Sequence, residues 1–176
     1  DDRERKLFLV RDRLGIKPLY LARAPGLVLF ASELKGIMAC PAFSREVDRA
    51  ALQHYLSFQY VPAPHTIFRG AEKVPPGHIV AIDADGSRSE RRYWSLAGCW
   101  DPAASDRRSE ADLFDELKGL LTTSIRYRMI SDVPLGAFLS GGVDSSLVVA
   151  LMQREAAAPV KTFSIGFSER GYDESG

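Results

Sequence analysis

The sequence predicts an α/β protein with an antiparallel sheet in its first half and the start of a parallel sheet in its second half. Three observations support this fold class. Short apolar runs separated by glycine, proline and charged residues are typical of antiparallel strands and occupy the first half. A stretch rich in Gly, Pro, Ala, Ser and Asp then lacks periodicity. A strand pattern, a glycine turn, a helix pattern and another strand follow. We therefore expect a first domain at residues 1–94, a linker at 95–108 and a second domain at 109–176.

Five runs in the first half have the length and composition of strands. They are Lys6 to Val10, Leu19 to Ala22, Leu27 to Ala31, His78 to Asp83 and Arg88 to Trp94. The last two flank Asp85-Gly86, a dipeptide that favours the tight turn of a β-hairpin. The expected arrangement is therefore antiparallel.

Two helices are predicted between these strands. The first is short, with Ser32 as its cap and Ala39 near its end. The second runs from Asp48 to about Phe58, because the apolar residues within this range share one helical face.

The second half reads as a helix followed by a strand, helix, strand unit. Ser109 and Asp112 resemble a capping box, and apolar residues then follow helical spacing to about Met129. The unit itself is predicted as a strand at Leu135 to Leu139, a helix from Ser145 to about Ala156 and a strand at Lys161 to Phe167. Such a unit is expected to be parallel and right-handed.

Composition excludes several classes of protein. Lys plus Arg and Asp plus Glu are balanced at 23 each, so no net field favours nucleic acid or a membrane surface as a partner. No apolar run approaches the ~18 residues needed to span a bilayer. Cys40 and Cys99 lack the spacing of a metal or redox motif and indicate a reducing compartment. We expect a cytoplasmic enzyme.

The loop between the predicted strand and helix reads S-G-G-V-D-S-S from Ser140 to Ser146. Paired glycines let successive amides face one concavity, and the following helix start adds a positive dipole end, so phosphate is the expected ligand. Asp144 suits a magnesium ion that bridges to phosphate. An isolated S-G-G string is more often an ordinary turn between strand and helix, with Asp144 and Ser145 as helix caps. The lysine of a Walker loop is missing.

Further motifs resemble one known family. Arg11 to Tyr20 reads R-D-R-L-G-I-K-P-L-Y, and Phe30 to Lys35 reads F-A-S-E-L-K. Both strings resemble the glutaminase domain of class II amidotransferases, and S-G-G-V-D-S-S resembles the PP-loop of ATP pyrophosphatases. Val74 to His78, V-P-P-G-H, also matches. In this order the motifs resemble the glutamine-hydrolysing asparagine synthetases. The resemblance implies the C-terminal part of an αββα-type glutaminase domain, followed by the start of a PP-loop ATP pyrophosphatase domain with a parallel sheet.

The resemblance also implies roles for individual residues. Asp12 would hold the α-amino group of glutamine, as a carboxylate suits an ammonium, and Arg11 and Arg13 would be structural. Asp144 would bind Mg²⁺. The residues implied to bind ATP are Leu139, Ser140, Gly141, Gly142, Asp144, Ser145 and Ile165, with adenine placed against the backbone at Leu139 and Ile165.

No catalytic residue is assigned within the chain. The family uses an N-terminal cysteine nucleophile, which would lie upstream of Asp1, and neither Cys40 nor Cys99 occupies such a position. A second metal motif is expected beyond Gly176. Both ends look cut from a longer protein, and this segment alone is predicted to be inactive in both half-reactions.

Four functions remain open from the sequence. The first is an asparagine synthetase acting on aspartate, glutamine and ATP through an acyl-adenylate. The second is a relative that acts on another carboxylate, as in exopolysaccharide gene clusters. The third is a different PP-loop enzyme, which the upstream R-D-R-L-G-I-K-P-L-Y string disfavours. The fourth is a non-catalytic binding module. A homodimer is compatible with all four.

Overall fold

Two three-stranded antiparallel sheets form the first part of the chain. The computed structural model describes residues 1–100 and 108–166. The chain divides into two compact units, Asp1–Ala103 and Ala104–Gly176. In chain order, the first unit contains β1 (Lys6–Val10), β2 (Tyr20–Ala24), β3 (Leu27–Ala31), α1 (Leu34–Met38), α2 (Arg49–Phe58), β4 (Ala71–Lys73), β5 (His78–Asp83), β6 (Arg88–Arg92) and a 3₁₀ helix (Ala97–Cys99). The strand orders are β1-β5-β6 and β3-β2-β4.

The core of the first unit joins residues of both sheets. Leu9 on β1 and Val80 on β5 lie with Leu21 on β2, and Val80 is 0% exposed. In a second cluster, Ile37 of α1 and Phe43 pack against Ala22 on β2 and Ala71 on β4. Side chains alternate along a strand, so β1 and β5 can bury one face while leaving Phe8 half exposed on the other.

Most of the predicted elements of this unit are present. The hairpin β5-β6 turns at Gly86, which has φ +83°, as the Asp85-Gly86 signal predicted. Asp48 caps α2 by accepting hydrogen bonds from the amides of Ala50 and Ala51. The mixed α/β class with antiparallel sheets is confirmed.

Two predictions about this unit were wrong in detail, and one strand was missed. Ser32 does not cap α1: the N-cap residue is Glu33, which makes no side-chain cap, because the helix begins only at Leu34. Strand β2 starts and ends later than expected because its register is set by pairing with β3. Strand β4 was missed, since three residues carry no periodic signal and pairing with β2 creates the strand.

Strand β6 ends at Arg92, two residues before the predicted end. The amides of Tyr93 and Trp94 both donate to the carbonyl oxygen of Gly77, at 2.8 and 3.2 Å. The chain therefore leaves the ladder to close around Gly77, a contact that no local pattern could predict.

A stability measurement tests this closure. Gly77 has φ +68°, and a Cβ built there would lie 2.4 Å from the carbonyl oxygen of Trp94, whereas Gly86 has φ +83° with open space around it. Gly86→Ala should cost about 1–2 kcal/mol from backbone strain alone. Gly77→Ala should cost about 1–3 kcal/mol more because of overpacking. Urea unfolding of the two full-length variants gives the comparison, and equal losses would contradict the close approach.

The second unit contains a parallel strand pair and two helices within residues 108–166. They are α3 (Glu110–Arg128), β7 (Gly136–Phe138), α4 (Val143–Glu155) and β8 (Lys161–Phe163). Ser109 and Asp112 form the predicted capping box at the start of α3. Strands β7 and β8 pair in parallel, and Ile125, Leu151 and Met152 form the core between the helices.

Element boundaries in the second unit differ from the sequence expectation. Strand β7 is shorter than residues 135–139, and α4 begins at Val143 rather than Ser145 because Gly142 is its N-cap. Half of the predicted linker, residues 101–107, lies outside the described ranges, and so does the predicted end of the last strand at residue 167. The described part of the linker contains the 3₁₀ helix Ala97–Cys99. No helix in the described part of the chain is long and apolar enough to cross a membrane.

Candidate functional site

Asp12 lies in the turn that follows β1 and organises that turn through its carboxylate. Oδ1 accepts a hydrogen bond from the amide of Ile16 at 2.9 Å, and Oδ2 accepts one from the amide of Lys17 at 3.0 Å. The backbone oxygen of Asp12 accepts from the amides of Gly15 and Gly77 at 3.1 and 3.0 Å. Both the backbone and the carboxylate of Asp12 are thereby held in place.

The same contacts keep the Asp12 carboxylate charged. The backbone N–H groups of Lys17 and then Ile16 hold the pKa of this carboxyl below its usual range. A carboxylate oxygen can accept more than one hydrogen bond, so each retains acceptor capacity. Asp12 is partly exposed. A fixed, ionised and accessible carboxylate can bind an ammonium group.

The neighbouring Arg11 binds three backbone carbonyls. Its Nε donates to Lys17 at 3.1 Å, Nη1 to Val74 at 2.6 Å and Nη2 to Gly15 at 3.0 Å. Tyr93 donates its hydroxyl to the carbonyl oxygen of Arg11 at 2.8 Å. These contacts agree with the structural role expected for Arg11.

Hydrogen bonds join the turn around Asp12 to the V-P-P-G-H segment. Val74 accepts from Arg11, Gly77 donates to Asp12, and the carbonyl oxygen of His78 accepts from the Arg11 amide at 3.0 Å. In the sequence the two strings are separate motifs, and neither Gly77 nor Tyr93 is predicted to support Asp12. The positive-φ requirement of a glycine after two prolines is the local signal that could have indicated Gly77.

The glycine loop connects β7 to α4 in the second unit. Gly141 has φ +78°, which glycine adopts without strain, and Gly142 is the N-cap of α4 with no side-chain cap on the helix. The first amides of a helix have no intrahelical acceptor. In α4 these belong to Val143, Asp144 and Ser145, so backbone donors and a positive helix end are available for an anion.

The serines of the loop bind one another. The hydroxyl of Ser145 donates to the carbonyl oxygen of Gly142 at 3.0 Å and lies 3.1 Å from the hydroxyl oxygen of Ser140. The amide of Ser140 also points to the Ser145 hydroxyl, at 3.4 Å. Ser145 thus closes the loop, and its hydroxyl must rotate away from Gly142 to donate to a bound anion.

The residues predicted to face adenine follow the ends of the two paired strands. Leu139 comes directly after β7, and Ile165, 63% exposed, comes two residues after β8. The amide of Leu139 donates to Phe163 at 2.8 Å, and its carbonyl oxygen accepts from the Ser164 hydroxyl at 2.6 Å. The Leu139 amide is therefore occupied, whereas its carbonyl oxygen keeps a second lone pair that can accept a hydrogen bond from a base.

Asp144 lies in the first turn of α4, beside the loop amides. Among residues 1–100 and 108–166, no three His, Cys, Asp or Glu side chains are grouped to hold a metal ion. Magnesium commonly binds through one or two carboxylates together with substrate phosphates and water. A single carboxylate next to an anion cradle fits that mode, so Asp144 could hold Mg²⁺ once phosphate is bound.

Two family models match the chain. Residues 1–94 match a glutamine amidotransferase domain, and residues 116–176 match asparagine synthase. The chain is 39% identical, over 96% of its length, to asparagine synthetase (glutamine-hydrolyzing) 1 of Bacillus subtilis strain 168, and it covers 26% of that protein.

Two further relatives match similarly. Asparagine synthetase (glutamine-hydrolyzing) 3 of the same strain is 33% identical over 96% of the chain, and the chain covers 27% of it. A Penicillium rubens protein, amidase chyE, is 30% identical over 99% of the chain, which covers 27% of its length. The chain therefore spans about a quarter of the length of the curated relatives it matches.

Proposed function

The chain belongs to the glutamine-hydrolysing asparagine synthetase family, and we propose that the whole protein forms an amide from a carboxylate, glutamine and ATP. The proposed reaction converts aspartate, glutamine and ATP to asparagine, glutamate, AMP and pyrophosphate, which makes the protein a carbon–nitrogen ligase. The observation that carries the proposal is the presence in one chain of the Asp12 turn and the glycine loop before α4.

Asp12 would recognise glutamine through its α-amino group. The carboxylate is ionised at neutral pH and fixed by two amides, so it offers a charge-assisted hydrogen bond to an ammonium. Hydrolysis of the glutamine side chain would release ammonia, with a cysteine nucleophile expected upstream of Asp1.

The glycine loop would bind the phosphates of ATP. An oxygen of the aspartate side-chain carboxylate attacks the α-phosphorus, the bond from that phosphorus to the β-phosphate oxygen breaks, and pyrophosphate leaves. Ammonia then attacks the carbonyl carbon of the acyl-adenylate and displaces AMP. The free amides at the start of α4 would stabilise the charge of the departing pyrophosphate. A magnesium ion held by Asp144 would neutralise part of the same charge.

Isotope transfer tests this reaction in the full-length protein. Aspartate labelled with ¹⁸O in its side-chain carboxylate should leave one labelled oxygen in AMP and one in asparagine, because the C–O bond breaks when ammonia displaces AMP. Ammonium in place of glutamine should give the same labelling. Formation of ADP and phosphate, or unlabelled AMP, would contradict the proposed adenylation.

A second candidate is amide formation on a different carboxylate acceptor. The similarity to amidase chyE, over 99% of the chain, favours this alternative because that relative does not carry the asparagine synthetase name. Screening carboxylic acids for AMP formation separates the two candidates. Activity with aspartate alone supports the first, and activity with another acid but not aspartate supports the second.

The proposed reaction takes place in a reducing compartment and uses small-molecule cofactors and partners. Free Cys40 and Cys99 fit a reducing compartment, so we place the reaction in the cytoplasm. ATP and Mg²⁺ are the proposed cofactors, and glutamine and the acceptor acid are the small-molecule partners. A homodimer stays a prediction.

A further inference from the structure

The turn after Asp12 is held from two sides by adjacent residues. The Asp12 carboxylate binds the amides of Ile16 and Lys17, and the Arg11 guanidinium binds the carbonyls of Gly15 and Lys17. Lys17 is therefore held at both its N–H and its C=O group. The carboxylate and the guanidinium fix the same short segment, so displacement of one side chain shifts the partners of the other.

The third contact of Arg11 connects this turn to a distant part of the chain. Nη1 donates to the carbonyl oxygen of Val74, which is 63 residues away in sequence and 0% exposed. Three different nitrogens of one planar group thus bind three carbonyls. The guanidinium can do this because its donors form a rigid fork, whereas the ammonium of lysine is a single point with a flexible stem.

Gly15 allows the guanidinium to lie against the turn. A Cβ at this position would lie 3.1 Å from Cζ of Arg11 and 2.7 Å from Cγ of Pro76, and φ is +66°. The guanidinium, the glycine and the second proline of V-P-P-G-H are therefore in close contact. A side chain at residue 15 would clash with Pro76 and crowd the Arg11 guanidinium against its acceptors.

We propose that Arg11 is a positioning residue for glutamine recognition, which sets the Asp12 carboxylate by fixing Gly15 and Lys17 against Val74. This inference rests on the proposed function, because it assumes that Asp12 binds the α-amino group of glutamine. It goes beyond that function by assigning a further residue whose effect is confined to the glutamine-dependent half of the reaction.

The test compares Arg11→Lys with Arg13→Lys in the full-length protein. Both variants keep the charge, and Arg13 is an exposed neighbour of Asp12. Arg11→Lys should raise the KM for glutamine about tenfold or more, because small misplacement of a binding group is costly. Activity with ammonium should stay at the wild-type level, and Arg13→Lys should leave both activities unchanged. Gly15→Ala should reproduce the effect of Arg11→Lys.

Carboxyl NMR of Asp12 in the same variants separates the inference from the proposed function. In Arg11→Lys the pKa of Asp12 should rise toward its usual value, because the amides of Lys17 and Ile16 are released. An unchanged pKa together with an unchanged KM would overturn the positioning role. A raised pKa with an unchanged KM would show that releasing the Asp12 carboxylate from the turn does not affect glutamine recognition, which overturns the positioning role. The proposed binding of glutamine by Asp12 is tested separately, by the KM of Asp12→Ala. Equal loss of glutamine-dependent and ammonium-dependent activity would indicate a folding defect and also overturn it.

Discussion

Replacing Asp144 by alanine in the full-length protein is expected to abolish the acceptor-dependent exchange of pyrophosphate into ATP. Asp144 is the acidic residue in the first turn of α4, next to amides that carry no side-chain cap. Phosphate bound there would carry several negative charges. A magnesium ion would neutralise part of this charge and lower the free energy of the transition state by several kcal/mol. We therefore expect a loss of about 100-fold or more in the exchange rate.

Two control variants sharpen this experiment. Asp144→Asn keeps the size and polarity of the side chain but removes its charge. This variant should lose pyrophosphate exchange to the same extent as Asp144→Ala and keep the melting temperature of the wild type. Asp115→Ala removes an exposed acid from α3 and should leave exchange unchanged. Normal exchange in Asp144→Ala would eliminate the proposed magnesium role.

Replacing Asp12 by alanine is expected to reduce amide formation from glutamine but not amide formation from free ammonium. Glutamine-dependent amide formation should fall sharply, because the glutamine ammonium loses its charged partner, while synthesis from free ammonium should persist. Charge-assisted hydrogen bonds contribute about 1.5–3 kcal/mol, so the KM for glutamine should rise about 10-fold to 150-fold. Steady-state kinetics with each nitrogen source measure the difference.

Asp85 supplies a matched control for the Asp12 variant. Its carboxylate also accepts a backbone hydrogen bond, from Ser87 at 2.8 Å, and this contact likewise lowers its pKa, but it lies in the turn of the β5-β6 hairpin. Asp85→Ala should therefore leave both activities near the wild-type level. If Asp12→Ala lost both activities, a folding role would replace glutamine binding as the explanation.

Several features of the candidate sites were predictable because they depend on neighbouring residues. The capping box of Ser109 and Asp112, the cap at Asp48 and the turn at Gly86 each involve residues at most three apart. Their geometry follows from side-chain hydrogen bonding and from the backbone freedom of glycine. The order of strand, glycine loop and helix at Gly141 and Gly142 was visible for the same reason.

Other features depended on partners that sequence spacing does not specify. Strand β4 exists because it pairs with β2, and β6 stops early because Tyr93 and Trp94 bind Gly77. The α1 cap was misassigned because a one-residue change in the helix start moves Ser32 out of the N-cap position. In each case the free energy of a nonlocal contact, or a small shift of boundary, outweighed the local preference.

The sequence by itself determined the α/β class, most of the helices and strands, and the two motifs that identify Asp12 and the glycine loop as candidate sites. The tertiary structure decided how Asp12 is supported. The contacts from Arg11 to Val74 and from Tyr93 to Arg11 join residues 63 and 82 positions apart. Local periodicity encodes which face of a helix or strand is apolar. It does not encode that β1 pairs with β5, because that pairing forms when Leu9 and Val80 are buried in a common core. That packing brings V-P-P-G-H to the Asp12 turn and makes one site of two separate motifs.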